Sequence, residues 1–111
     1  MSEAPESDEA VMAEPAWQET MKASILEAPR PGAQGWTDDS MAVLGACDFA
    51  LENVRTSVVW WHGRHDANAP LQAVERVTHR LPEVDLRVWA DAGHLEPYHR
   101  EEEILRDLLV R

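Results

Sequence analysis

Two apolar runs dominate the hydrophobic pattern, and each ends in a polar turn. Val58-Val59-Trp60-Trp61 stops at His62-Gly63 and leads into a loop carrying Asp66. Leu86-Arg87-Val88-Trp89 leads into Asp91-Ala92-Gly93-His94. β-Branched and aromatic residues favour extended chain, so strands are predicted over 56–61 and 84–89. The first run is apolar throughout rather than alternating. That predicts a strand buried on both faces, as in a parallel sheet covered by helices. Between the runs, Leu71, Val74, Val77 and Leu81 recur at helical spacing. They give one apolar face to a helix that Pro70 opens and Pro82 closes. Beyond Pro97, Ile104, Leu105, Leu108 and Leu109 mark a last amphipathic helix. Its acids, Glu101 to Glu103, lie early, where they suit the helix dipole, and Arg111 lies late. Strand–helix–strand–helix predicts a βαβ unit with parallel strands and a closing helix.

Upstream the pattern is helical. Ala, Glu, Met, Gln and Leu favour a helix from Ala10 to Ala28, with Trp17, Met21, Ser24 and Ile25 as its apolar stripe. Pro15 would sit near the first turn, where proline is tolerated. Pro29-Arg30-Pro31-Gly32 ends this helix. Thr37 or Asp38 is expected to cap a short helix running to Leu44, which Gly45 stops. Cys47 to Val54 reads as a compact turn with Phe49 and Leu51 pointing inward. Residues 1–9 hold Glu3, Glu6, Asp8 and Glu9 and no base, and read as a solvated, disordered start. The expected organisation is an acidic start over 1–9, a helical segment over 10–53 and a βαβα unit over 54–111, in the α/β class.

Composition narrows the function classes. A chain of 111 residues makes one modest domain. Its net charge is −11, from 10 Lys and Arg against 21 Asp and Glu. Such a surface repels phosphate backbones and anionic lipid, so neither a nucleic acid nor a membrane surface is an expected partner. The single cysteine, Cys47, forms no intrachain disulfide and fits a reducing cytoplasm. The start has neither the basic nor the apolar region of a secretory signal. No apolar run approaches the ~20 residues of a membrane helix. A cytoplasmic setting is expected.

The chemistry gathers at the strand ends. Open α/β sheets bind ligands beyond the carboxyl ends of their strands. Asp66 and His94 both fall there, and neighbouring strands would let them meet. A carboxylate accepting from one ring nitrogen of a histidine fixes its tautomer, and the other nitrogen is then free to act as a general base. Gly63 and Gly93 would permit the sharp turns such loops need. Each residue also has a plain structural role open to it. Asp66 could cap the helix beginning near Pro70, and His94 could pack on Trp89 or Tyr98. His62 and His65 beside Asp66 suggest a metal, but an H-x-x-H at a strand end lacks the geometry of two histidines on one helical turn. No metal or other cofactor is expected. Trp60, Trp61 and Trp89 read as core.

These residues resemble a family. Residues 54–111 are similar to the C-terminal part of an α/β-hydrolase, in its serine esterase and peptidase-like members. The similarity lies in the apolar strand followed by Gly63-Arg64-His65-Asp66, the proline four residues later, the helix ending Leu81-Pro82, the strand leading to Gly93-His94, and the terminal helix. The stretch from Gly35-Trp36-Thr37-Asp38-Asp39 to Cys47-Asp48-Phe49 looks like the passage from lid to core, so the resemblance covers roughly residues 30–111. It implies Asp66 as the acid and His94 as the base of a Ser-His-Asp triad that hydrolyses a small-molecule ester or amide.

One element of that pattern is missing. The family's nucleophile sits in a G-x-S-x-G turn, and none of Ser2, Ser7, Ser24, Ser40 and Ser57 has such flanks. Gly45-Ala46-Cys47-Asp48-Phe49 begins like that turn, but Phe49 stands where the second glycine belongs. The expectation is a truncated α/β-hydrolase, inactive alone. The alternative is a non-catalytic interaction module, because open sheet edges invite pairing with another chain or with a second copy.

Overall fold

The computed structural model describes residues 4–111. Three helices come first: α1 (Glu6–Met12), α2 (Pro15–Glu27) and α3 (Gln34–Leu44). A 3-10 turn at Leu51–Asn53 leads into β1 (Val58–Gly63), α4 (Leu71–Thr78) and β2 (Val84–Trp89). A second 3-10 turn at Glu96–Tyr98 and α5 (Glu101–Leu109) follow.

β1 and β2 form a two-stranded parallel sheet, with Val58 opposite Val84 and Gly63 opposite Trp89. The chain is thus mixed α/β with the parallel pairing that its pattern implies. β1 begins and ends two residues later than predicted. Its partner does not start until Val84, and the Val58 N–H closes the ladder on Glu83 O at 3.0 Å. His62 and Gly63 stay in the strand because Val88 and Trp89 are still beside them.

The expectation that β1 is buried on both faces is overturned. Val58 to Trp61 are only half-buried. Two strands leave each strand with an open edge, and few elements cover them. On one face Trp61 and Trp89 stack at 5.2 Å, and the Arg87 guanidinium lies 4.8 Å over the Trp61 ring. Arg87 also reaches Asp107 of α5 at 2.9 Å, which ties that helix to this face. Arg87 and Arg111 both bind Asp107 and hold its carboxyl below the ordinary range. Along α4, Val74 is buried and Leu71 and Val77 are half-buried, so the apolar stripe faces inward as its spacing requires; the helix ends at Thr78, short of the predicted Pro82, and Leu81 lies half-buried beyond it.

The N-terminal expectations change most. Glu6 to Glu9 are not a disordered start; they open α1, and residues 1–3 lie outside the described residues. Pro5 sets the helix entry and Glu6, Asp8 and Glu9 stand at its positive end. Val11, fully buried, anchors it. The single helix expected over 10–28 is broken, because the residue before a proline is pushed out of helical conformation. Glu14 is accordingly extended, at φ −75° and ψ 124°, and Pro15 starts α2. Of the α2 stripe, Trp17 and Met21 are half-buried while Ser24 and Ile25 are exposed. Trp17 meets Tyr98 edge-on at 6.5 Å, and nothing lies beyond it for Ile25 to pack against.

In α3 the expected cap is absent. Ala33 holds the N-cap position, and Thr37 lies within the helix with its hydroxyl donating to Ala33 O at 3.1 Å. Phe49 points outward, 63% exposed, while Leu51 is half-buried. Every residue from Lys22 to Phe49 is exposed.

Among the described residues the buried apolar core is accordingly small: Val11, Val74 and Ala92. The accessible surface is 8803 Å², where a folded chain of this mass exposes roughly 6,200 Å². The radius of gyration is 16.5 Å, against about 13 Å for a compact chain of this length. No helix among the described residues is long and apolar enough to cross a membrane.

Candidate active site

The two strands end side by side, and their following loops lock together. Arg64 N–H donates to Trp89 O at 3.0 Å and His65 N–H to Ala92 O at 2.8 Å. The register therefore continues past the sheet and brings the loop with Asp66 against the loop with His94.

Gly63 and Gly93 are needed here for a different reason from the one expected. Neither has positive φ; among the described residues only Gly32 does, at 110°. What they supply is closeness. A Cβ on Gly63 would fall on the carbonyl oxygens of Gly93 and Ala92, 2.8 Å from the Ala92 carbonyl carbon. A Cβ on Gly93 would fall on the carboxylate of Asp8.

The carboxylate of Asp66 is buried and fully engaged. Its Oδ1 accepts the N–H groups of Asn68 at 2.9 Å and Ala69 at 2.8 Å. Its Oδ2 accepts from His94 Nδ1 at 2.9 Å. Burial pushes the Asp66 carboxyl up, but the Ala69 N–H, the His94 hydrogen bond and charge, and the Asn68 N–H outweigh it and hold the group below the ordinary range. Asp66 thus closes the turn at Asn68 and Ala69 ahead of α4, whose N-cap position is held by Pro70 with no side-chain cap.

His94 follows from that arrangement. A carboxylate has only acceptors, so Nδ1 carries a proton, and in the neutral ring the free lone pair is on Nε2. Nε2 has no hydrogen-bond partner among the described residues, and the side chain is 45% exposed. It borders a cleft of about 270 Å³ whose walls include Pro5, Met12, Asn68 and Leu95. A larger hollow of about 640 Å³, between Tyr98 and Leu105, touches neither Asp66 nor His94. The arrangement is a fixed carboxylate–imidazole pair presenting one basic nitrogen to an open cleft.

Of the histidines near it, His62 serves the frame. His62 Nε2 donates to Ala69 O at 2.7 Å and stands 3.5 Å from Asp66 Oδ2, which braces the Asp66 loop. His65 is exposed on the same loop. Among the described residues no three His, Cys, Asp or Glu side chains converge as a metal site. Cys47 is exposed, its thiol facing Phe49 O at 3.4 Å. Trp89 Nε1 is buried without an acceptor among the described residues, and Trp60 and Trp61 are half-buried.

Two residues escaped the sequence reading. Ser7 Oγ accepts Gly93 N–H at 2.9 Å. Asp8 accepts His94 N–H at 3.0 Å and Leu95 N–H at 2.8 Å. The signal was a proline, Pro5, followed by acids and then Val11-Met12, which is a helix start with an apolar anchor.

Comparison with family models, with curated proteins and with solved structures gave no match.

Proposed function

We propose that this chain supplies the acid and the base of an α/β-hydrolase, a partial version of that fold in which Asp66 orients His94. The observation that carries the reading is the 2.9 Å bond from His94 Nδ1 to Asp66 Oδ2 at the carboxyl ends of two parallel strands. The chemistry follows from the tautomer. His94 Nε2 removes the proton from a hydroxyl nucleophile as it attacks an ester or amide carbonyl, and Asp66 stabilises the imidazolium that forms. The same nitrogen then returns the proton to the leaving group. The nucleophile turn, G-x-S-x-G, does not occur in these 111 residues. The pair therefore acts on a nucleophile from outside them, and the chain alone is inactive. The single exposed cysteine favours a cytoplasmic setting.

The test is hydrolysis of p-nitrophenyl acetate by the purified chain, with His94→Ala and Asp66→Ala as references. The expected rate matches that of both variants. Turnover well above theirs, lost in each variant, would show that the chain holds its own nucleophile.

A second reading is favoured by the open surface. Both strands have an unpaired edge, and the chain exposes far more area than its mass requires. Under this reading the chain is an interaction module that completes its sheet with another strand. Light scattering after size exclusion at several concentrations checks self-pairing, and a well-folded monomer throughout would count against it.

A further inference from the structure

We propose that Asp8 is a positioning residue for His94, acting from α1 through the backbone of the histidine loop; this rests on the reading of Asp66 and His94 as the acid–base pair. Three successive N–H groups, of Gly93, His94 and Leu95, point at the start of α1. Each finds a separate acceptor: Ser7 Oγ at 2.9 Å, Asp8 Oδ2 at 3.0 Å and Asp8 Oδ1 at 2.8 Å. Asp8 is only 7% exposed, and beside it Val11 is fully buried, so α1 is packed against the loop. The approach is so close that Gly93 has no room for a Cβ against the Asp8 carboxylate.

The opposite side of the loop is also held. Trp89 O and Ala92 O accept from Arg64 and His65. The β1 loop thus grips the histidine loop by its carbonyls, and α1 grips it by its amides. Among the described residues the His94 ring hydrogen-bonds to Asp66 alone, so its aim depends on how this backbone is fixed. Hydrogen bonds from N–H groups to a carboxylate are stronger than neutral ones and lose little to solvent when buried. Asp8 does not touch the His94 ring. Its effect is to hold the main chain from which Nδ1 reaches Asp66.

The test reads the ring directly, by NMR of the full chain labelled with 15N-histidine. In the wild type, His94 Nδ1–H is expected to give a far-downfield proton signal from its bond to a carboxylate. Asp66→Asn is expected to abolish it. A wild type lacking that signal, or an Asp66→Asn variant that keeps it, sinks the acid–base reading itself. Asp8→Ala is expected to lose the signal while the β1 and β2 amide peaks stay in place. A signal lost in Asp66→Asn but unchanged in a folded Asp8→Ala overturns the Asp8 proposal alone. If Asp8→Ala does not fold, the isosteric Asp8→Asn decides. It keeps one acceptor, and Nδ1–H exchange with water should rise about tenfold, as for one lost bond to a charged acceptor. Unchanged exchange in Asp8→Asn overturns the proposal.

Discussion

The site at the sheet ends and the helical stretch from Lys22 to Phe49 differ in what holds them. Residues around the sheet ends are fixed by convergent contacts: Asp66 takes three hydrogen bonds, and the His94 loop is held from both sides. The stretch from Lys22 to Phe49 has nothing comparable. It contains α3 and the second half of α2, yet no residue in it is buried. Its hydrogen bonds are local, such as Arg30 to Glu27 and Gln34 to Asp38. Ile25, Leu26, Trp36, Met41, Val43 and Leu44 all face solvent. Isolated helices of this length are marginal in water, because nucleation costs more than a few turns return. The difference separates a site assembled by tertiary contact from helices whose apolar residues have nothing to cover.

The same substitution in the two regions gives the largest contrast. Gly63→Ala drives a methyl into the backbone of Ala92 and Gly93. It is expected to cost about 3 kcal/mol, since the atoms it meets are backbone and cannot swing aside. Gly35→Ala meets nothing within 4 Å and lies in α3. It is expected to be neutral or to stabilise by about 0.5 kcal/mol through helix propensity. Urea unfolding of both variants checks this. Equal effects would erase the contrast.

How much of this was legible in the sequence follows the same division. The strands, the parallel pairing and the meeting of Asp66 with His94 came from local cues: apolar runs, a glycine at each run's end, a proline at the helix start. The Asp8 contact spans 86 positions. In the sequence Asp8 was one carboxylate in an acidic run, and a run gives no sign of which acid turns inward. The helical stripe of α2 shows which residues could be buried, but not whether another element covers them. That is why Trp17 found Tyr98 while Ile25 found solvent. The roles of Gly63 and Gly93 were misread for a related reason. Sequence suggests special φ at a turn glycine, whereas these two exist to let backbone and carboxylate approach.

A smaller effect is expected from acid. The folded Asp66 carboxyl lies below its ordinary value, while in the unfolded chain it titrates near the model-peptide value of about 4. The unfolded state therefore binds the proton first as pH falls. The stabilisation from ionised Asp66 is fully present above about pH 4 to 5 and is lost as pH falls through the folded value. Asp66→Asn removes it. At neutral pH that variant is expected to lose about 1–3 kcal/mol, from weaker bonds to the Asn68 and Ala69 amides and to His94. The deficit should shrink below pH 4. Denaturation at several pH values measures it, and a deficit that grows in acid would contradict the depressed carboxyl.

The smallest expected effect bears on the open region itself. Trp36 is 77% exposed and Leu44 82% exposed, so truncating either removes little buried area. Trp36→Ala and Leu44→Ala should each change stability by no more than about 0.5 kcal/mol. Val74→Ala, at a buried site with a smaller side chain than either, should cost about 2 kcal/mol. The measurement is again urea unfolding of the chain alone. A loss above about 1 kcal/mol for Trp36→Ala would mean that α3 is packed in solution, and the contrast between the two regions would fall. A null result strengthens it, because bulky apolar residues that contribute nothing to the chain's own stability are then left with no internal role.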